Sequence, residues 1–145
     1  KENYFLDDGA YLVAKLLIKM ARLKKENRSL SSLIEKLPEP AESLEFRLPL
    51  SHKDFHEYGN RVIFYLGEMA QKEKGWTLEQ PNYEGIRIRC SSPLEKGWFL
   101  LRLSLHDPLM PLNIESDVEG GVKTIITRLA GLLKDFKYLD TSSLL

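Results

Sequence analysis

The sequence predicts an α+β fold: an antiparallel sheet of about four strands with two helices packed on one face. Three observations predict it. Apolar residues recur at every second position in four short runs, Leu44 to Leu50, Ile86 to Cys90, Trp98 to Leu105 and Leu109 to Glu115. Two longer stretches, one opening at Ser51 and one after Glu115, carry apolar residues at helical spacing instead. The last three runs follow one another through short connections, and strands joined that way pair antiparallel. Two helices with broad apolar stripes then cover one side of the sheet.

The chain has 145 residues, which suits one compact domain, or one domain plus a piece of another. Lys plus Arg and Asp plus Glu both number 21, so no global positive field draws the molecule to nucleic acid or to anionic lipid. The apolar share of 43% and the aromatic share of 10% exclude disorder as the main state. The single Cys excludes an internal disulfide framework and a Cys-rich zinc site. It fits a reducing compartment, cytoplasm or an organelle stroma such as that of the chloroplast. The longest apolar stretch, Tyr11 to Ala21, is interrupted by Lys15 and Lys19 and is too short to span a membrane. The chain opens Lys-Glu-Asn without Met, which predicts a piece of a longer chain.

Taken in order, Ala10 to Leu23 reads as an amphipathic helix. Leu12, Val13, Leu16, Leu17, Met20 and Leu23 form its apolar face, and Asp7 or Asp8 caps its start. Lys24, Lys25 and Arg28 suit the negative end of its dipole. A short second helix follows, capped by Ser29, with Leu30, Leu33, Ile34 and Leu37 inside. Pro38 and Pro40 stop it, and 38–43 is the linker. The first strand contains Pro49, which belongs at an edge or at a strand's end. Ser51 opens the next helix with Asp54 as its capping-box partner. Phe55, Tyr58, Val62, Leu66 and Met69 form its stripe, and Gly75 ends it. Trp76 to Glu79 is a short strand or a loop. Strands at Ile86, Trp98 and Leu109 follow. A last helix, capped by Ser116 or Asp117, has the clearest stripe, from Val118 through Ile125 and Leu129 to Phe136.

Several residue groups carry chemistry by type and spacing. His52 and His56 stand four apart, a spacing that presents two imidazoles to one metal, but no third ligand is evident and exposed helix positions are the simpler reading. Ser104, His106 and Asp107 are the residue types of a hydrolase triad, but such close neighbours do not form the serial hydrogen bonds it needs. Arg87 and Arg89 form a basic stripe or simply an exposed strand face, and Cys90 reads as a small buried hydrophobe. Arg102 and Ser104 project to the same side of a strand with a turn directly after them. A guanidinium fork, a hydroxyl and turn amides can together hold phosphate oxygens. Alternatively, Arg102 pairs with a local carboxylate and Ser104 only ends the strand.

Asp7-Asp8-Gly9, Glu84-Gly85-Ile86-Arg87, the run from Gly97-Trp98 to Arg102-Leu103-Ser104, Pro108 and Glu115 occur here in one order. That order resembles the C-terminal portion of the α-D-phosphohexomutase family, the phosphoglucomutases, phosphomannomutases and phosphoglucosamine mutases. The resemblance covers nearly the whole chain, and the Gly-Trp to Arg-x-Ser stretch is its most specific part. It implies that 1–43 is the helical tail of a third, sugar-binding domain with its linker. It implies that 44–145 is the fourth, phosphate-binding domain, with a fold like half of the TATA-binding protein. The implied parent is an isomerase that transfers a phosphoryl group within a hexose phosphate through a phosphoserine. It uses Mg²⁺ and passes through a hexose bisphosphate, which also serves as activator.

The phosphoserine, the metal loop and the sugar-reading loop lie in upstream domains, so this piece alone holds no catalytic residue and no metal ligand. Its implied share is a clamp on the phosphate that is not transferred: Arg102 and Ser104, with turn amides at Leu105, His106 and Asp107. Leu105 stands where the family has Gly or Asn, and His106 where it has Thr. The Thr hydroxyl is thereby lost, and Leu tolerates positive backbone angles poorly. The His106 ring is a substitute donor. The implied partners are a hexose phosphate and the upstream domains, with no nucleic acid and no membrane. The alternative is a non-catalytic homologue with a structural or regulatory role.

Overall fold

The computed structural model describes residues 9–145, so the proposed caps Asp7 and Asp8 lie outside the described residues. The chain divides into two compact units, Lys1–Pro38 and Glu39–Leu145. In the first, helix α1 spans Gly9–Lys25. It ends in a Schellman turn: Asn27 adopts φ 55°, and the amide of Arg28 bonds the Leu23 carbonyl at 2.9 Å. The expected second helix is only a 3₁₀ turn, Leu30–Leu33, with Ser29 at its N-cap position. Leu33, Ile34 and Leu37 are exposed rather than inside, because one such turn has too little surface to bury them. Of the α1 stripe, Leu23 is buried, and Leu12, Val13, Leu16, Leu17 and Met20 are exposed.

The second unit holds an antiparallel sheet of five strands: β1 Glu42–Pro49, β2 Trp76–Leu78, β3 Ile86–Cys90, β4 Gly97–Leu101 and β5 Leu109–Ser116. Their spatial order is β1-β5-β4-β3-β2. Trp76 to Leu78 thus adds a fifth strand to the expected four, paired with β3 through Trp76↔Cys90. Pro49 lies on an edge strand, as its missing N–H requires. On one face Leu48, Met110, Leu112, Ile114, Phe99, Leu101, Ile86, Ile88 and Cys90 are all buried. Helix α2, Phe55–Ala70, lies over β2 and β3, and helix α3, Gly121–Leu133, lies over β1 and β5. Tyr58, Val62 and Leu66 of α2 join Val122, Ile125, Leu129 and Leu133 of α3 in one core. The two stripes therefore face the sheet side that alternation selects.

Both helix starts differ from expectation. Asp54, not Ser51, caps α2: its carboxylate accepts the Glu57 amide at 2.9 Å. His52 accordingly precedes the helix, where its ring stacks on Tyr58 and meets the edge of Tyr138, each at 5.0 Å between centroids. Ser116 and Asp117 do not cap α3. Ser116 is a buried residue of β5 whose hydroxyl donates to the Lys96 carbonyl at 3.0 Å. Gly120 takes the N-cap position at φ 74°, and it has no side chain to cap with. Glu42 of β1 supplies the cap from a distant part of the chain. Its carboxylate accepts the amides of Gly120 and Val122, both at 2.9 Å, and these two bonds hold its pKa below the ordinary value.

The expected strand from Trp98 to Leu105 also ends early, at Leu101. The Arg102 amide still donates to the Pro111 carbonyl at 3.1 Å, but Pro111 has no N–H to return the bond. Leu105 turns outward instead of continuing the buried side of the strand, and is 77% exposed.

Candidate functional site

Arg102, Ser104, Leu105, His106 and Asp107 all lie where β4 loses its regular pairing. Arg102 follows Leu100 on the open face of the sheet, away from the helices. Leu103 turns the other way, onto Gly59 of α2. A β-carbon at Gly59 would come within 2.6 Å of the Leu103 Cδ1. This inward anchor holds Arg102 and Ser104 on either side of it.

The Ser104 amide bonds the Leu109 carbonyl at 3.0 Å. Its hydroxyl oxygen accepts the Asp107 amide at 3.2 Å, so that amide is already engaged and the hydroxyl proton remains to donate. Leu105, His106 and Asp107 form an exposed bend. The Leu109 amide bonds the Asp107 carbonyl and the Leu50 amide bonds the Pro108 carbonyl, both at 2.8 Å, which ties the bend to the end of β1. The amides of Leu105 and His106 have no backbone partner among the described residues. Asn27 is the one non-glycine residue with positive φ among the described residues, so Leu105 occupies its place without that strain.

The Arg102 guanidinium has a neighbour that the expected clamp did not include. Its Nη1 lies 3.4 Å from Oε1 of Glu84. Gly85 brings Glu84 there. It sits at φ 65° with its Cα against the Arg102 backbone, where a β-carbon would meet the Leu101 carbonyl and come 2.6 Å from the Arg102 Cα. The Asn82 amide group donates to the Gly85 carbonyl at 2.7 Å and fixes the turn. The local-carboxylate reading of Arg102 is therefore realised, while its other donors stay available.

The remaining groups separate. His52 and His56 do not share a helix face, and His56 lies against Phe55 at 4.1 Å between centroids. Ser104, His106 and Asp107 make no triad, because their only mutual bond uses the Ser hydroxyl as an acceptor. Cys90 is buried, and burial, reinforced by the Glu95 carboxylate, pushes its thiol up to about 12. Arg87 and Arg89 both pair with Glu79, and the Arg87 guanidinium lies over the Trp98 ring at 4.2 Å. The Trp98 indole in turn donates to Glu115 at 3.1 Å. Sequence reasoning also missed the pairing of buried Glu95 with Arg128, which joins the β3–β4 connection to α3. Among the described residues no group of three or more His, Cys, Asp or Glu side chains could hold a metal ion.

A groove of about 1000 Å³ runs between β1, α3 and the C-terminal residues, and none of the Arg102–Asp107 residues line it. The candidate site lies outside that groove, at an exposed corner of the sheet. An open corner can grip one end of an anion while the other end stays accessible.

No family model matches the chain, and no curated protein matches it. Among solved structures, a phosphoglucomutase/phosphomannomutase family protein from Burkholderia thailandensis is similar to it, with 25% identity and a TM-score of 0.61. The match covers 93% of this chain and 25% of that one, so the chain spans a quarter of the length of that protein. The likeness carries the α+β sheet and its helices, and it agrees with the resemblance read from the Gly97 to Ser104 stretch: in fold and sequence the chain is similar to part of a phosphoglucomutase/phosphomannomutase family protein.

Proposed function

We propose that this chain is the C-terminal part of a phosphohexomutase and that it clamps the non-transferred phosphate of a hexose phosphate. The observation that carries the reading is the corner itself. A guanidinium and a hydroxyl flank the anchored Leu103, followed by the unpartnered amides of Leu105 and His106. Arg102 would take two phosphate oxygens, and the Ser104 proton and the two amides would donate to the remainder. The Asp107 amide would act indirectly, by orienting the Ser104 oxygen. His106 is exposed and would supply a ring N–H where the family has a Thr hydroxyl.

Holding one phosphate positions the reacting end of the sugar, so binding energy becomes orientation. Phosphoryl transfer, with its phosphoserine, Mg²⁺ and hexose bisphosphate, is assigned to the upstream domains. The Glu84 contact favours a second reading, a homologue in which this corner is structural.

Titration of the ¹⁵N-labelled chain with glucose 1-phosphate separates the two. The clamp predicts shifts at the Arg102 side chain and at the amides of 104–107. Arg102→Ala should weaken binding by roughly 1.5–3 kcal/mol, or about 10-fold to 150-fold. Equal affinity of that variant, or shifts confined to other surfaces, would leave the structural reading in its place.

A further inference from the structure

Glu84 stands beside the one side chain on which the proposed function most depends. We infer that Glu84 is a built-in counter-anion for Arg102, a carboxylate that occupies the guanidinium until a phosphate dianion displaces it. The inference rests on the reading of Arg102 as the phosphate ligand. It adds a residue that sets how strongly an anion must bind to occupy the corner.

Three observations support it. The contact is a single ion pair of 3.4 Å from Nη1, leaving the rest of the five-donor fork unused by carboxylates. Glu84 is 64% exposed and Arg102 35%, so the pair is open to exchange and contributes little to stability. Its position is nevertheless dictated by the backbone. Gly85 at positive φ packs on Arg102, and Asn82 holds the Gly85 carbonyl, so the residue before Gly85 is delivered to the guanidinium. The fold thus places a weak competitor accurately.

The chemical consequence is a threshold of affinity. A monoanion that reaches Arg102 replaces one carboxylate with an equivalent charge and gains little. A phosphate ester dianion brings a second charge and a third oxygen, reaches the Ser104 hydroxyl as well, and wins the exchange. Displaced Glu84 swings into water, and no bond is made or broken beyond the ion pair. Glu84 sets this threshold through Arg102 and does not itself bind the phosphate.

The test titrates the 145-residue chain with glucose 1-phosphate and, separately, with acetate, following the Arg102 side-chain resonance. Glu84→Gln should tighten glucose 1-phosphate about twofold to fivefold, the inverse of a typical exposed pair. It should raise the acetate response by a similar factor, because both anions must displace the same carboxylate. Glu68→Gln, on the exposed side of α2, makes the same change in net charge and should alter neither. Unchanged or weaker binding in Glu84→Gln, with Arg102→Ala still strongly impaired, overturns the counter-anion while leaving the clamp in place. Loss of any difference between wild type and Arg102→Ala overturns the clamp itself.

Discussion

Gly85 shows how a single position can serve a site it does not touch chemically. Its backbone angle and its contact with Arg102 both exclude a side chain, so Gly85→Ala meets two penalties at once. The expected loss is about 1–3 kcal/mol of stability, read as a lower urea midpoint at unchanged slope. The same change should shift the Arg102 and Glu84 resonances, since β3's entry must move away from β4. A midpoint within error of wild type would mean that the turn relaxes freely and that Glu84 is not held in place. At this scale the sequence was informative about residue types. Arg102, Ser104 and the bend after them stand together as an Arg-x-Ser spacing predicts, although both residues lie beyond the end of β4. Glu84 could not be read that way, because its approach depends on the β3–β4 register, which pairs Ile86 with Leu101.

The elements themselves are legible from periodicity, and their ends are not. The stripes of α2 and α3 and the alternation of β3 and β5 predict the buried residues well, because burial follows period directly. The first turn of α3 escaped, since its cap comes from Glu42, almost eighty residues earlier in the chain. No local pattern announces a cap from another strand. The length of β4 escaped too, because the proline that ends the ladder sits on the partner strand. The α3 cap gives a pH prediction. Glu42 has a lowered pKa in the folded state, so it stabilises above its ordinary value of 4.5, and that contribution is lost as pH falls through the lowered value. Glu42→Gln should therefore lower the melting temperature at pH 7, and the gap to wild type should close progressively below about pH 4.5. A gap that stays constant from pH 7 to pH 3 would show that the carboxylate's charge is not what α3 uses.

For the molecule as a whole, the core explains where independence lies. Every residue of the main hydrophobic cluster falls between Leu48 and Leu144. A chain beginning at Glu39 should then fold alone, melt in one transition and keep the amide spectrum of the sheet. Broad, poorly dispersed resonances would refute that independence. The period changes across the 38–43 linker, next to the boundary between the two compact units at Pro38 and Glu39, and strand pairing begins at Glu42, two residues before the apolar alternation does. The deep seat of the only thiol has a practical side. Cys90 is buried and its thiol is pushed up to about 12, so almost none of it is thiolate at neutral pH. Alkylating reagents and maleimide dyes will pass it by, so a single cysteine engineered at the sheet's open corner can carry a fluorophore without first removing the native one.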